Sequence, residues 1–310
     1  KNIKEIINSL QSIKYSDKNF EVIFIDDSST DNTYSIIENE IKGLNNFSLL
    51  TSSNKTLPAK KGALQLGIEK AKHPFIMITD ADCNIKPDWL KIFSQKFSIG
   101  YDFVFGIAPL INKGSFTGEL SSFENLKSSM LSFSSAALNL PYSATARNFG
   151  FNKKSFNLIS GYKNTKETLG GDDDLLLREA IKYKMKIGWV TNKEAFVFSK
   201  TKEIFKDYLW QKSRHTETAL YYTTGRKIVL AVWHLTNIVS LASVLMVFKN
   251  WIFALPFFAK FFMDILLTRS IQNKFGYRFS FIKIIIFQIV YEIMLGINFF
   301  NALFGKKVWK

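Results

Sequence analysis

The stretch VIFIDDSSTDNT at residues 22–33 decides the fold, and a similar run, PFIMITDAD, recurs at residues 74–82. Each begins with a short unbroken apolar run, which is typical of a strand buried on both faces, and each ends in aspartates. Helical patterns at residues 31–41 and 59–72 and a further strand, FSLLT at residues 47–51, separate the two. This alternation predicts an α/β fold with a mostly parallel sheet flanked by helices.

Acidic side chains follow two of these predicted strands directly. Asp26, Asp27 and Asp31 come after the first, and Asp80 and Asp82 after the later one. In parallel sheets ligands bind beyond the carboxyl ends of the strands, so we expect the acids to converge there. Crowded carboxylates need a compensating charge, which favours a hard divalent cation, Mg²⁺ or Mn²⁺. Helix capping or a turn would explain either cluster alone, but it explains the pair poorly.

The last quarter of the chain is predicted to be membrane-associated. Residues 228–248 form a stretch of 21 residues without Asp, Glu, Lys or Arg, which is long enough to cross a bilayer as a helix. Residues 251–267 are apolar except for Lys260 and Asp264, whose spacing allows them to pair on one helical face. Residues 281–304 form a third apolar segment, interrupted by Lys283 and Glu292. The last two segments are alternatively buried or interfacial helices. We therefore expect an α/β domain at residues 1–225, which carries the acidic loops, and a membrane domain of two to three helices at 226–310.

The basic excess of the chain is concentrated beside these apolar segments. The sequence has 41 Lys and Arg against 26 Asp and Glu, a net charge of +15, with basic clusters at 226–227, 269–278 and 306–310. Because Lys and Arg favour the cytoplasmic side, the first two clusters predict a multi-pass protein of the inner (plasma) membrane with the domain at residues 1–225 on the cytoplasmic side. The third cluster does not fit three complete crossings. Membrane flanks explain the charge, so no nucleic-acid partner is expected, and the single cysteine excludes a disulfide framework within the chain.

Several motifs, in this order and spacing, resemble the family 2 inverting glycosyltransferases, which have the GT-A fold. They are VIFIDDSSTDNT, KKGALQLGI at residues 60–68, ITDAD at 78–82 and SATARNFGFNKKSF at 143–156. The resemblance implies a nucleotide-sugar site. The residues it assigns to that site are Asp26 and Asp27 near the base, Lys60 at its border, Asp80 at the ribose, Asp82 as the metal ligand and Asn148 in the segment linking donor and acceptor. Gln65 stands where the family often has asparagine.

The run GGDDDLLLREA at residues 170–180 resembles the EDxDLxxR helix start of the same family. Alignment on Asp174 and Arg178 makes Asp172 the catalytic aspartate, with Gly171 in place of the usual glutamate. Because three aspartates occur in a row, Asp173 is the second candidate. Without the resemblance, these residues would be favourable charges at a helix N-terminus.

The hexapeptide WQKSRH at residues 210–215 resembles the QxxRW motif of membrane-bound members, but His215 replaces the tryptophan. Gln211 and Arg214 would lie on one helical face, where Arg214 could hydrogen-bond a diphosphate. Because polymerising members place an acceptor sugar near that tryptophan, single addition is expected. The family also opens with a strand that would precede KNIKEI, so we expect this sequence to be a piece of a longer chain.

Together these features predict an inverting transfer of a sugar from a nucleotide sugar, most commonly a UDP-sugar, to a hydroxyl of a lipid-linked or envelope glycan acceptor. One alternative is a DxD phosphohydrolase of the haloacid dehalogenase type, although Asn84 stands where that class needs Thr or Val. The other is a non-catalytic, membrane-anchored sugar-nucleotide-binding module, which the departures at Gly171 and His215 keep open.

Overall fold

A computed structural model describes residues 3–53 and 55–304; the side chains of Arg214 and of residues 299–304 are not described. The predicted basic cluster at 306–310 therefore lies outside the described residues. The chain forms two compact units, Lys1–Leu110 with Ser132–Lys200, and Ile111–Leu131 with Thr201–Lys310. The domain boundary expected at residue 225 remains a prediction.

The secondary structure alternates between strands and helices along the first part of the chain. The strands are β1 Val22–Asp26, β2 Phe47–Thr51, β3 Phe75–Ile78, β4 Cys83–Ile85, β5 Phe103–Gly106, β6 Leu110–Ile111, β7 Phe149–Asn152, β8 Ile187–Val190 and β9 Val197–Lys200. The helices are α1 Ile3–Gln11, α2 Thr33–Glu40, α3 Ala59–Lys70, α4 Trp89–Ser98, α5 Phe116–Ala137, α6 Lys153–Leu158, α7 Asp174–Lys182, α8 Phe205–Ala219, α9 Thr224–Val244, α10 Leu255–Ile271 and α11 Phe281–Phe304. The predicted α/β class is confirmed.

The sheets of the first unit combine parallel and antiparallel pairs. β1 and β2 are parallel, with Val22 opposite Phe47 and Asp26 opposite Thr51. A second sheet has the order β3-β7-β5-β8, in which β7 runs antiparallel to both neighbours while β5 and β8 are parallel. A third sheet, β4-β9-β6, includes an antiparallel β4/β9 pair. Unbroken apolar runs report burial on both faces, which is common in parallel sheets but does not by itself fix strand direction, and the sheets are therefore less uniformly parallel than the sequence indicates.

The core of the first unit forms where the predicted periodicities place apolar residues. On α1, Ile6, Ile7 and Leu10 are buried, as their helical spacing requires. In the second sheet, Phe103, Phe149 and Phe151 are fully buried and pack ring against ring, with centroids 5.7 to 6.1 Å apart. This packing fixes β5 and β7, and β7 pairs with β3, the strand that leads into the second acidic loop.

The second unit contains three helical segments that are long and apolar enough to cross a membrane. They are Thr224–Phe248, Trp251–Phe275 and Phe281–Asn298, and each overlaps one of the three predicted segments. The predicted Lys260–Asp264 pair forms at 2.7 Å, and Lys260 also meets Glu292 of α11 at 2.5 Å. Because Lys260, Asp264 and Glu292 each face an opposite charge, these three residues enter the segments at reduced desolvation cost.

Candidate functional site

The loop after β1 carries the first pair of acids. Asp26 is 8% exposed; its Oδ2 accepts the N–H of Ser29 at 3.3 Å, and its Oδ1 has no hydrogen-bond partner among the described residues. Asp27 accepts hydrogen bonds from Ser52 and from Lys55, whose Nζ lies 2.5 Å from Oδ1. Burial raises the pKa of Asp27. The hydrogen bonds from Lys55 and Ser52 and the charge of Lys55 outweigh this effect and leave the pKa of Asp27 below its usual value. Asp27 is thus held as a carboxylate.

Lys60, in the first turn of α3, links two loops that are far apart in the sequence. Its Nζ lies 2.6 Å from Asp80 Oδ1 and 2.8 Å from Asp172 Oδ2. A cation at a helix N-terminus opposes the helix dipole, so the two carboxylates compensate a charge that α3 itself disfavours. Burial lowers the pKa of Lys60, but Asp172 and then Asp80 outweigh it and raise that pKa well above its usual value. Lys60 is therefore a permanent cation between the two acids.

The same ion pair controls the charge state of Asp172. The side chain of Asp172 is 14% exposed. Burial raises its pKa, but the charge and hydrogen bond of Lys60 oppose this and bring the pKa below its usual value. Asp172 is consequently ionised at neutral pH, although it is mostly buried.

Asp173 has a different environment from Asp172. It is the N-cap of α7; its Oδ1 accepts the N–H of Asp174 at 2.7 Å, and its Oδ2 accepts the N–H of Ala146 at 2.8 Å. Asp174 in turn accepts the N–H of Ala144 at 3.0 Å. Burial, followed by the charges of Asp174 and Asp172, raises the pKa of Asp173 to about 8. Asp173 thus holds the neighbouring backbone in place, and it is harder to ionise than Asp172.

The loop after β3 offers a set of donors for a cation. One potential ligand atom from each of Asp80, Asp82 and Cys83 lies within 4.8 Å of the others. Burial, followed by the charge of Asp80, raises the pKa of the Cys83 thiol to about 12, so sulfur is a poor ligand here. Asp82 is exposed, and Asp80 is only partly engaged by Lys60. The oxygens of these two carboxylates fit a hard divalent cation.

Asn148 lies in the core of the first unit. It is 0% exposed; its Nδ2 donates to the carbonyls of Ile107 and Ala195, both at 2.9 Å, and its Oδ1 accepts Trp89 Nε1 at 2.8 Å. A Cβ added at Gly106 would lie 2.3 Å from Asn148 Nδ2, so only glycine fits beside it. These bonds engage both ends of the side-chain amide, and the geometry favours a supporting role for Asn148 over direct ligand contact.

Gln211 and Arg214 both lie on α8, in the second unit. Their spacing of three residues is that of neighbouring positions on a helix. The side chain of Arg214 lies outside the described residues. Of the predicted site residues, the structure brings together Lys60, Asp80 and Asp172, with Asp82 beside Asp80.

The sequence did not point to two buried groups next to this cluster. Lys61 is 2% exposed, and its Nζ donates to the backbone carbonyls of Thr165 and, at 3.0 Å, Thr168. Tyr162 is 0% exposed, and its hydroxyl has no hydrogen-bond partner among the described residues. Two successive lysines at the start of a helix are usually solvated, so the local sequence pattern does not indicate that one of them is buried.

Comparison with known proteins identifies the family. The model of "Glycosyl transferase family 2" matches residues 1–159. A comparison with curated protein sequences finds no match.

Two of the similar solved structures, with TM-scores of 0.50 and 0.61, share the fold. The mannosyltransferase PcManGT from Pyrobaculum calidifontis, solved with GDP-Man and Mn²⁺, has a TM-score of 0.61 at 14% identity, covering 98% of this chain and 84% of its own. GalNAc-T7, solved with UDP, GalNAc and Mn²⁺, has a TM-score of 0.50 at 14% identity, covering 67% and 44%. The S. aureus TarS structure with UDP-GlcNAc is 17% identical with a TM-score of 0.47, covering 71% and 63%. The chain thus spans less than two thirds of the length of that TarS chain.

The family model covers just over half of the chain, and its matched range includes every acid of the loops after β1 and β3. By this match, the chain belongs to glycosyl transferase family 2.

Proposed function

We propose that this protein is a metal-assisted, inverting glycosyltransferase that moves a sugar from a nucleotide-sugar donor to a hydroxyl of a lipid-linked or envelope glycan acceptor. One observation carries the proposal: Lys60 Nζ lies 2.6 Å from Asp80 and 2.8 Å from Asp172. A single cation therefore joins the acid expected at the donor ribose to the acid expected to act on the acceptor.

Asp172 is the proposed general base. Lys60 keeps it ionised, and an ionised carboxylate is the form that can accept a proton. Asp173 fits this role less well because its pKa is raised to about 8 and both of its oxygens accept backbone N–H groups. Asp172 would take the proton of the acceptor hydroxyl as that oxygen attacks the anomeric carbon from the side opposite the diphosphate. The nucleoside diphosphate leaves with the bonding electrons, and the anomeric configuration inverts.

The donor would be held by residues from several loops. The unpaired Oδ1 of Asp26 and the carboxylate of Asp27 are acceptors for base N–H groups, which supports their proposed place at the nucleotide. Asp80 would accept a ribose hydroxyl, while Asn148 would support the loop that separates donor from acceptor. Gln211 and Arg214 remain proposed partners of the diphosphate.

Asp82, with Asp80 beside it, would hold the divalent cation, Mg²⁺ or Mn²⁺. When bound, such an ion neutralises charge that develops on the departing diphosphate. The Mn²⁺ in the structures of PcManGT and GalNAc-T7, which share this fold, supports the assignment.

Both related structures contain nucleotides, GDP-Man in one and UDP in the other, which supports a nucleotide-sugar donor; a UDP-sugar is the first candidate. Three candidate membrane helices favour an acceptor at a membrane surface. The basic flanks of the first two suggest a multi-pass protein of the inner membrane, with a catalytic domain at 1–225 on the cytoplasmic side.

The test is a donor panel with the full chain in detergent. UDP- and GDP-sugars are supplied with Mg²⁺ or Mn²⁺ and a membrane lipid extract, and the released nucleoside diphosphate and the glycosylated product are quantified. We expect one donor to give acceptor-dependent release. Release of inorganic phosphate would instead indicate a phosphohydrolase. Binding of a donor without turnover, with every acceptor fraction, would indicate a non-catalytic binding module.

A further inference from the structure

The segment that leads into Asp172 is anchored by a buried lysine. Lys61 lies in the first turn of α3, beside Lys60, and only 2% of it is exposed. Its Nζ donates to the carbonyl oxygens of Thr165 and Thr168, about one hundred residues further along the chain. A buried ammonium is costly unless its donors are satisfied, and here backbone oxygens satisfy two of them.

A second buried cation anchors the same segment from the other side. Arg178 of α7 donates through Nη2 to the carbonyl of Asn164 at 2.8 Å, and its Nη1 lies 2.8 Å from Glu167. Arg178 is 6% exposed, and Glu179 accepts from its Nε at 2.9 Å. Residues 164–168 are therefore held by α3 and by α7.

The rest of the segment depends on these anchors. Gly170 and Gly171 precede Asp172, and Gly171 has a φ of +72°, a conformation that glycine adopts without strain. Leu169 is exposed. Two glycines in succession permit many backbone conformations, so the chain before Asp172 needs anchors of its own, whereas the hydrogen bonds of Asp173 fix the chain after it.

We propose that Lys61 is a positioning residue: by binding the backbone of residues 165–168, it fixes the segment that presents Asp172 to the acceptor. Adjacent lysines of α3 thus have separate tasks. Lys60 neutralises the carboxylates, and Lys61 holds the backbone that carries one of them. This inference rests on the proposed function for its catalytic consequence, whereas its structural part stands on the two carbonyl contacts alone.

The charge state of Lys61 allows this anchor to be tested by changing the pH. Burial lowers its pKa to about 8; Asp172, Glu167 and Asp173 oppose this, and Arg178 adds to it. Lys60 is its neighbour on α3. Because burial lowers the pKa of Lys61, the exposed, detached lysine binds its proton more tightly than the anchored one, so by linkage the anchored segment is expected to gain stability as the pH rises through about 8.

The experiment compares Lys61→Met, which has a side chain of similar length but no hydrogen-bond donors, with Lys61→Arg, which keeps a cation. Lys166→Met, an exposed lysine in the same segment, is the matched control. Hydrogen–deuterium exchange of residues 164–172 is measured in the full chain in detergent, together with kcat, KM and donor affinity.

We expect Lys61→Met to lower the protection of residues 165–171 at least tenfold and to lower kcat at least tenfold, with donor affinity changed less than threefold. Lys61→Arg should restore part of both, and Lys166→Met should match the parent. If Lys61→Met fails to fold, the protection factors of residues 165–171 in the parent and in Lys61→Arg are compared from pH 7 to 9.5; only those of the parent should rise.

Unchanged protection of residues 165–171 in a folded Lys61→Met variant overturns the inference. Where that variant does not fold, protection in the parent that is independent of pH overturns it. Equal losses of donor affinity and kcat would overturn the positioning role as well. A parent without transfer activity on any donor would refute the proposed function, and the exchange data would still decide whether Lys61 holds the segment.

Discussion

Replacing Lys60 by methionine should shift the pH dependence of transfer. Two unit charges 2.8 Å apart, as in Lys60 and Asp172, attract by about 6 kcal/mol at an effective dielectric constant of about 20. The Lys60 side chain is 37% exposed, so water screens part of this energy. An opposite charge at such distances lowers the pKa of a carboxyl group by about 1 to 3. Without Lys60, we therefore expect the pKa of Asp172 to rise by about 1 to 3.

The sign follows from the direction of the existing shift. The pKa of Asp172 lies below its usual value, so Asp172 is ionised at every pH above the usual range for aspartate. Its ion pair with Lys60 contributes to stability over the same pH range. In Lys60→Met, a plot of kcat/KM against pH should have its acid limb displaced upward by about 1 to 3 pH units. Lys60→Arg, which keeps the charge, should restore most of the parent profile, and Lys166→Met should not alter it. An acid limb in Lys60→Met that coincides with that of the parent would refute the assignment of Lys60 as the group that keeps Asp172 ionised.

Two further predictions concern other parts of the first unit. Asp82→Asn should raise the Mn²⁺ or Mg²⁺ concentration needed for half-maximal transfer at least tenfold, because one of two carboxylate ligands is lost. A titration of activity with metal checks this prediction. An unchanged metal requirement would place the cation elsewhere. Asn148→Ala should lower the free energy of unfolding by about 3 kcal/mol or more, because it leaves the Trp89 N–H and two carbonyls without partners. Thermal unfolding measures that loss, and donor affinity per folded molecule should be retained; a stable variant that no longer binds donor would make Asn148 a ligand contact instead.

The sequence predicted best those strands and helices whose local residue pattern has a single physical explanation. The apolar runs at β1 and β3 and the helical spacing on α1 and α3 each correspond to an observed element with boundaries shifted by a few residues. The three apolar C-terminal segments likewise correspond to the three long helices. In these cases burial on both faces, or on one helical face, already determines the residue pattern.

The features that were not predicted depend on partners distant in the sequence. The direction of β7 between β3 and β5 is fixed by chain topology and leaves no trace in FGFN. The sequence also gave no sign that Lys61 is buried, since its partners are the backbone atoms of Thr165 and Thr168. Three successive aspartates left two candidates for the base, and the hydrogen bonds of Asp173 to the peptide N–H groups of Ala146 and Asp174 distinguish the candidates only in three dimensions.

The most direct test of the proposed chemistry compares donor binding and turnover in Asp172→Asn with those in the parent, using Asp17→Asn, an exposed aspartate, as the control. Removing the base should lower kcat at least a hundredfold, which is within the usual contribution of general base catalysis, while the Kd for the donor changes less than about threefold. Transfer by Asp172→Asn at the rate of the parent would contradict the assignment of Asp172 as the base.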